Sequence, residues 1–454
     1  MADVSIPWGD ETLTLPLPEH WSVRQTVTPT VAPAPSDWPE RLAAALARPE
    51  GSPPLAKFLA ARRGGRVAVV VEDNTRHSPL PEVLKPVFRE LAHAKVPAER
   101  VEVVFATGMH PPLTPAEAAG KLGGALADAV AWRCNACRER SRQAHVGRVR
   151  DGTARVDVRV DRRVAAADLR ILVTAVTPHL QAGFGGGYKM LVPGCADLET
   201  IRQLHRAGLP RRAAQQVGQP APANRMRRLI DAAGATVDAA GGASFGVQYV
   251  LDMDDRLTSI AAGDVAACQR MLAKSCAGGY GMLIDAPADV VIADAHPRDF
   301  DLWQSFKTLA NTVWAARPGG VVLCATRCAG GVNMPTLSLP IRPSWVRRAV
   351  RLLGAEALSS MMIRLAPSLS ADGAFFARLA LQILRRNMVG MISPTLARSA
   401  RKMVGLPLWA EAGEAFAAAE AALPPGPKRV IVFPAGGVSY PIVRRRPLAR
   451  PGGA

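Results

Sequence analysis

Arg66-Val67-Ala68-Val69-Val70-Val71-Glu72-Asp73 settles the fold class. Its apolar core shows no polar alternation and is bounded by Gly64-Gly65 on one side and an acidic turn on the other, which is how a strand buried on both faces of a parallel sheet reads. Outward from it the chain alternates. A helix is expected near 80–94, a strand at Val101–Gly108, a helix near 114–129 and a strand at Leu169–Val176. Strand and helix in turn predict an α/β domain built on a parallel sheet with crossover helices. A second run of the same kind starts at Ala288–Ala295, passes through a helix at about 303–316 and a strand at Gly320–Thr326, and is completed by a late strand at Arg429–Gly436 in the same sheet. Upstream, residues 1–35 read as a short strand pair and a proline-rich connection, followed by an amphipathic helix at about 37–62. The join between the two runs falls near 275–286, where small and turn-forming residues concentrate. The expected division is therefore an N-terminal α/β domain, 1–278, a C-terminal α/β domain, 279–440, and a basic tail, 441–454.

A chain of 454 residues accommodates two or three domains at the usual ~100–200 residues each. Seven cysteines, scattered from Cys134 to Cys328, form no disulfide framework. Cys134-x-x-Cys137 lacks a second pair at zinc-finger spacing and reads as structural. The N-terminus has no basic segment leading into an apolar one, and no stretch of 18 uninterrupted apolar residues occurs, so a cytoplasmic protein is expected. Charge is the anomaly: nine lysines and 47 arginines against 38 acidic residues leave a net +18. Such a field favours anions of any size. Between 340 and 400 the basic residues oppose a Leu/Ile/Met stripe, which suits either an anionic membrane surface or, the reading preferred here, a helix packed on a sheet. With 5% aromatics and no recognisable nucleic-acid motif, a nucleic-acid partner is not expected, nor is a membrane.

Ligands of open parallel sheets bind beyond the carboxyl ends of the strands. The first strand ends in Asp73-Asn74-Thr75-Arg76-His77, the second in Thr107-Gly108-Met109-His110, and the third in Thr177-Pro178-His179. The last leads into Gly183-Phe184-Gly185-Gly186-Gly187-Tyr188-Lys189, then Pro193-Gly194 and His205. Four of the eight histidines, 77, 110, 179 and 205, fall in these places. Any one of them alone reads as an ordinary hydrogen-bonded residue; their grouping points to chemistry. The glycine run lacks P-loop spacing and serves either a phosphate, with Lys189 in reach, or a tight turn requiring positive φ. Gln304 and Lys307, three apart at the start of a helix, are either a solvated face or a carboxylate site.

The order of these pieces, D-x-T-R, T-G-x-H, P-H…G-F-G-G-G-x-K…P-G…H, and H-P-R-D-F-D-L-W-Q-x-x-K…G-G-V-V-L, closely resembles the nickel-pincer lactate racemase family over roughly residues 5–435. The resemblance implies two α/β domains with the active site in the cleft between them. It implies an isomerase, a racemase or epimerase that inverts C2 of a 2-hydroxy acid by reversible hydride transfer to a nickel-pincer nucleotide, pyridinium-3-thioamide-5-thiocarboxylic acid mononucleotide. Lys189 then corresponds to the lysine joined to the cofactor, His205 to the protein ligand of nickel, and His110 and His179 to the acid/base pair. Arg76, Gln304 and Lys307 correspond to the substrate-holding residues. Asp73 and Thr75 belong to the same loop, and Gly185, Gly186 and Gly187 line the phosphate-bearing end of the cofactor. Separate maturation enzymes are implied as partners.

The residue types suit that reaction. A carboxylate makes the neighbouring C–H a very weak acid, so hydrogen leaves more easily as hydride once a base has taken the hydroxyl proton. Each enantiomer needs its own base, and imidazole titrates near neutrality. Two departures bear on the substrate: Pro111-Pro112 follow His110 where the family commonly has Arg, and His77 follows Arg76 where Pro is usual. Both put lactate itself in question and leave larger or more acidic 2-hydroxy acids open. A nicotinamide-dependent oxidoreductase of 2-hydroxy acids is the alternative, weakened by the lack of G-x-G-x-x-G at the first strand–helix turn. A basic anion-binding protein is a more distant one.

Overall fold

Val67–Val71 lies inside a six-stranded sheet whose order is Leu257–Gly263, Ala243–Leu251, Leu169–Ala175, Val67–Val71, Val101–Phe105, Ala131–Cys134. All neighbours are parallel except the first two, which are antiparallel. Each residue of Val67–Val71 is buried, and alternate ones serve opposite cores. Val67, Val69 and Val71 join Leu42, Leu46, Leu80, Val83, Leu84, Val87 and Leu91 from the helices Trp38–Ala47 and Leu80–His93. Ala68 and Val70 face the opposite way, toward Leu204, Leu229, Ile230 and Ala233 of Leu198–Gly208 and Arg225–Ala240, and toward Val156 and Val158 of a β-hairpin. A strand with apolar partners on both sides needs an unbroken apolar run, which is the pattern in its sequence.

The structure, a computed structural model, describes residues 3–62, 64–210, 213–332, 343–365, 371–399 and 405–444. The chain divides into two units: Val31–Arg211 with Gln216–Gly279, which contains the sheet above, and Met1–Thr30 with Arg212–Gln215 and Tyr280–Ala454. The second unit has its own six-stranded sheet, entirely parallel, in the order Leu408–Trp409, Met388–Ile392, Ala316–Ala325, Ala288–Asp294, Lys428–Phe433, Trp21–Thr26. The mixed α/β class with mainly parallel sheets is thus as the sequence led one to expect.

Several local expectations are corrected. A linear division places the first thirty residues with an N-terminal domain, yet they cluster with the later unit, because Trp21–Thr26 pairs with Lys428–Phe433. The strand pair ahead of it, Asp3–Trp8 with Glu11–Pro16, sends Val4, Ile6 and Leu15 into the same core. The helix expected over 37–62 is two, Trp38–Ala47 and Leu55–Ala60, separated where Pro49, Pro53 and Pro54 remove backbone donors. The one expected over 114–129 breaks at Gly123 into Pro115–Leu122 and Gly124–Ala129. The two units do divide within 275–286, between Gly279 and Tyr280, but the join is regular structure and not a turn, the helix Val265–Tyr280 running directly into the strand Gly281–Ile284. The tail 445–454 and residues 366–370 lie outside the described residues.

Leu84 sits fully buried on the helix that covers the first sheet. Leu84→Ala should cost about 2–5 kcal/mol, read as an earlier urea transition in far-UV circular dichroism, whereas a parental midpoint would contradict this packing.

Candidate functional site

At the end of Val67–Val71 the chain turns inward at Glu72, a buried carboxylate. Its oxygens accept hydrogen bonds from the Ser78 hydroxyl and from the Ala175 amide (3.1 Å), and Lys121 Nζ lies 3.6 Å away. Tyr249 donates to Ser78 Oγ at 3.1 Å, and burial with the nearby Glu72 charge keeps its phenol protonated, far above the usual range. Lys121 also donates to the Arg76 carbonyl at 2.6 Å. The loop that carries Asp73, Thr75 and Arg76 is therefore fastened at both ends by buried polar contacts, which are costly to break.

Asp73 is the electrostatic centre of that loop. It accepts from the Thr75 amide (3.0 Å) and hydroxyl (2.6 Å), and its other oxygen lies 2.5 Å from His110 Nδ1. Burial pushes the carboxyl up, but His110, the Arg76 charge and the Thr75 hydroxyl outweigh it and hold it well below the ordinary carboxylate range. An ionised Asp73 accepts, so His110 Nδ1 carries a proton and its Nε2 presents a lone pair whenever the ring is neutral. Gly108, two residues earlier, donates its amide to Gly194 O at 2.9 Å and brings this turn against the far end of the glycine segment.

His179 is set the opposite way. Pro178–His179 pairs with Gly183–Phe184 in a tight antiparallel turn, and His179 Nδ1 accepts from the amides of Gln181 (3.2 Å) and Ala182 (3.0 Å). With Nδ1 receiving two donors, the proton of the neutral ring is on Nε2.

The glycine loop is pinned from inside the protein. Buried Arg227 donates to the carbonyls of Phe184, Gly185 (3.2 Å) and Gly186 (3.2 Å), and Gln269 adds a bond to Gly185 O at 3.2 Å. The amides of Gly185 and Gly187 are taken by Thr177 O (2.7 Å) and Gln248 Oε1 (2.8 Å). Gly186 and Gly187 have φ of +72° and +63°, so the tight-turn requirement for glycine is met here. The turn delivers Tyr188 onto Gly234, where an added Cβ would lie 2.1 Å from the ring, and the Tyr188 hydroxyl donates to Asp238 at 2.7 Å.

Lys189 follows, in the short 3-10 turn Gly187–Met190. Burial, reinforced by the charges of Arg76 and Arg227 and opposed by Asp73, brings its ammonium down to about 7. The amine is therefore substantially neutral, and nucleophilic, near physiological pH. His205 stands half-buried in the last turn of Leu198–Gly208, a helix capped by Asp197, and Gln181 Nε2 donates to its carbonyl at 3.3 Å. Gln181 thereby ties the His205 backbone to the loop carrying His179 and Lys189. Among the described residues, no group of three or more His, Cys, Asp or Glu is arranged to hold a metal unaided.

Of the residues singled out from the sequence, Asp73, Thr75, Arg76 and His110 meet directly, and Lys189 feels the charges of the first and third. His179, Gly185, Gly186 and Gly187 share its loop. Gln304 and Lys307 belong to the other unit, on the helix Leu302–Thr312 after the strand Ala288–Asp294; Asp301 caps that helix by accepting from the Gln304 amide (2.7 Å), and Lys307 Nζ donates to Gln304 Oε1 (2.7 Å). Sequence reading passed over Glu72, Arg227, Gln248 and Gln269. All four are buried polar residues; Glu72, Gln248 and Gln269 stand within apolar segments, a signal that marks them without revealing their partners, whereas Arg227 sits among other arginines.

A parallel α/β architecture with a lysine, histidines and a carboxylate gathered beyond the strand ends defines a protein with an enzyme-like site. Residues 8–216 match the family model described as lactate racemase N-terminal domain. Lactate racemase of Thermoanaerobacterium thermosaccharolyticum is 24% identical over 338 residues, 73% of this chain and 76% of that protein. That of Lactiplantibacillus plantarum is 24% identical over 298 residues, 64% of this chain and 66% of that one. The fold is similar to the solved lactate racemase apoprotein of T. thermosaccharolyticum, with a TM-score of 0.79 at 21% identity over 98% of this chain and 100% of the other. A Thermotoga maritima protein gives a TM-score of 0.62 at 16% identity over 89% and 98%. The chain thus resembles lactate racemases in sequence and in fold, and its residues 8–216 match their N-terminal domain.

The lowered Lys189 gives a direct test. Acylation by an excess of a small amine-directed reagent, followed by peptide mass spectrometry across a pH series, should modify Lys189 half-maximally near pH 7, against about 10.4 for an ordinary lysine. Arg76→Gln removes one of the charges that lower it and should move the profile to higher pH; an ordinary lysine profile in the parent would contradict the geometry.

Proposed function

We propose that the chain inverts C2 of a 2-hydroxy acid with a nickel-pincer nucleotide held on Lys189. Its similarity to lactate racemases supports an isomerase of the racemase class; the substrate class, the cofactor and the residue roles are our proposal. The observation that carries it is Lys189, whose amine, brought down to about 7, is the kind of nucleophile that covalent attachment of an electrophilic cofactor needs. The rest of the site fits that group. His205 offers one imidazole, and the absence of a further His/Cys/Asp/Glu cluster among the described residues suits a metal whose other donors come with the cofactor. Gly185, Gly186 and Gly187 let the loop pack closely on Thr177, Val176, Gln248 and Gln269, which fixes the turn that presents Lys189. When bound, the cofactor would supply a hydride acceptor next to C2.

The protein's own groups account for the remainder. Arg76 supplies a guanidinium for the substrate carboxylate, and Asp73 supports it electrostatically while keeping the Nδ1 proton on His110. His110 Nε2 takes the hydroxyl proton of one enantiomer. His179, with its proton on Nε2, donates to the oxygen of the other; to act as a base in its turn it must release the Gln181 and Ala182 amides. Gln304 and Lys307, already hydrogen-bonded to each other, offer the carboxamide and ammonium that a carboxylate or hydroxyl accepts. Retention of the keto acid between the two transfers depends on such charged holds.

Protein co-expressed with the cofactor-maturation enzymes should carry a mass adduct on Lys189, contain nickel, and erode the optical purity of at least one acid in a panel of single-enantiomer 2-hydroxy acids. Lys189→Ala should lose the adduct and the activity together. An unmodified mass without nickel, or an intact holoenzyme inert toward the whole panel, would overturn the proposal.

A further inference from the structure

The basic helical segment after residue 340 distributes its apolar residues in two directions. On the helix Pro343–Leu353, Val346 and Val350 are buried, four apart on one face, and the helix packs against Ala371–Arg386. That satisfies the expectation of a helix bounding a core, but only for two of its five large apolar residues. Trp345 is 70% exposed, Leu352 77% and Leu353 58%. Trp345 and Leu352 are seven apart, two turns at ~3.6 residues per turn, so they stand above one another on the outward face. Arg348 and Arg351, both exposed, flank that stripe, and the helix contains no acidic residue. The pattern recurs on Ala355–Leu365, where Met361 is exposed with Arg364 three residues on. The carboxylate of that helix, Glu356, pairs with Arg378 at 3.1 Å.

We infer that this outward face of Pro343–Leu353 docks on an anionic lipid surface. A helix lying in a membrane interface needs a tryptophan and leucines on the side facing the acyl chains, and arginines beside them whose guanidinium groups reach lipid phosphates. It needs no second stripe, because the protein supplies the other side. Charge selects the partner: the exposed arginines have no counter-charge on their own helix, and the chain as a whole carries +18. Among the described residues no helix is long and apolar enough to cross a membrane, so the association is peripheral. The inference is independent of the reaction proposed above.

Flotation of the full-length protein with sonicated vesicles tests it. Phosphatidylcholine vesicles containing phosphatidylglycerol should carry the protein upward at low salt and release it as salt is raised, while pure phosphatidylcholine should not. Arg348→Glu with Arg351→Glu should weaken partitioning at least about tenfold, at roughly 1 kcal/mol per basic residue near the surface. Trp345→Ser with Leu352→Ser, at positions too exposed to affect folding, should abolish the binding that survives moderate salt. The control Arg140→Glu with Arg155→Glu, an equal charge change at exposed sites elsewhere, should retain binding within about twofold. Absence of flotation with anionic vesicles would overturn the inference. So would equal losses in the helix and control variants, which would assign the attraction to net charge alone, or capture of the helix by an acidic protein in vesicle-free mixtures with no lipid binding.

Discussion

A single buried guanidinium determines the shape of the site-bearing loop. Arg227 Nη1 lies 3.5 Å from Asp231, and Nη1 and Nη2 together donate to three successive carbonyls, those of Phe184, Gly185 and Gly186. A charge removed from water must be compensated, and removing one partner of such a set typically costs ~3–5 kcal/mol. Here the compensation comes from the loop itself. Drawing three consecutive carbonyls to one point obliges the backbone to reverse at Gly186 and Gly187 with positive φ, and the reversal leads directly into Lys189. The same positive charge then helps to lower the lysine it has positioned. Geometry and reactivity at Lys189 share one cause.

What the sequence disclosed and what it hid divide along the distance over which each interaction acts. Val67–Val71 was readable because a strand covered on both faces needs nothing but its own apolar residues to announce it. The strand-end motifs were readable because position after a strand is a local property. Trp21–Thr26 was missed as a sheet member because its partner, Lys428–Phe433, lies at the other end of the chain, and its half-exposed pattern resembles any polar edge strand. The breaks at Pro49, Pro53 and Pro54 were legible in principle, yet the apolar period continues across them, and period outweighed the prolines. Arg227, Gln248 and Gln269 carry no local sign of their partners; their targets are backbone atoms of the loop, which have no sequence identity at all.

The excess of basic residues resolves into several separate roles. Arg170 is fully buried, bound to Asp238 at 3.0 Å and to carbonyls that include Gly241 at 2.7 Å, and contributes nothing to the outer field. Arg133 pairs with both Glu102 and Asp161. Arg76 and Arg227 act on Lys189. The residues that remain outward and uncompensated are the ones that a solvent-borne anion meets, and on Pro343–Leu353 they accompany exposed tryptophan and leucine. Total charge could not separate these uses, since a buried arginine and an exposed one count alike in the sum.

The two histidines illustrate how hydrogen-bond partners, a carboxylate for one and backbone amides for the other, decide a side chain's chemistry before any substrate arrives. Asp73, kept ionised by its neighbours, requires a proton on His110 Nδ1 and so frees Nε2 to accept. The amides of Gln181 and Ala182 require Nδ1 of His179 to be bare and so place its proton on Nε2. One ring is set as a base and the other as a donor, although both are imidazoles of similar intrinsic acidity. In the reaction proposed above, such an asymmetry would mean that the two enantiomers do not meet equivalent groups. Only one of them would find a proton acceptor already in place; the other would require the tight turn at Pro178–His179 to yield first. The rate difference between the two directions would then reside in two backbone amides and not in the imidazoles themselves.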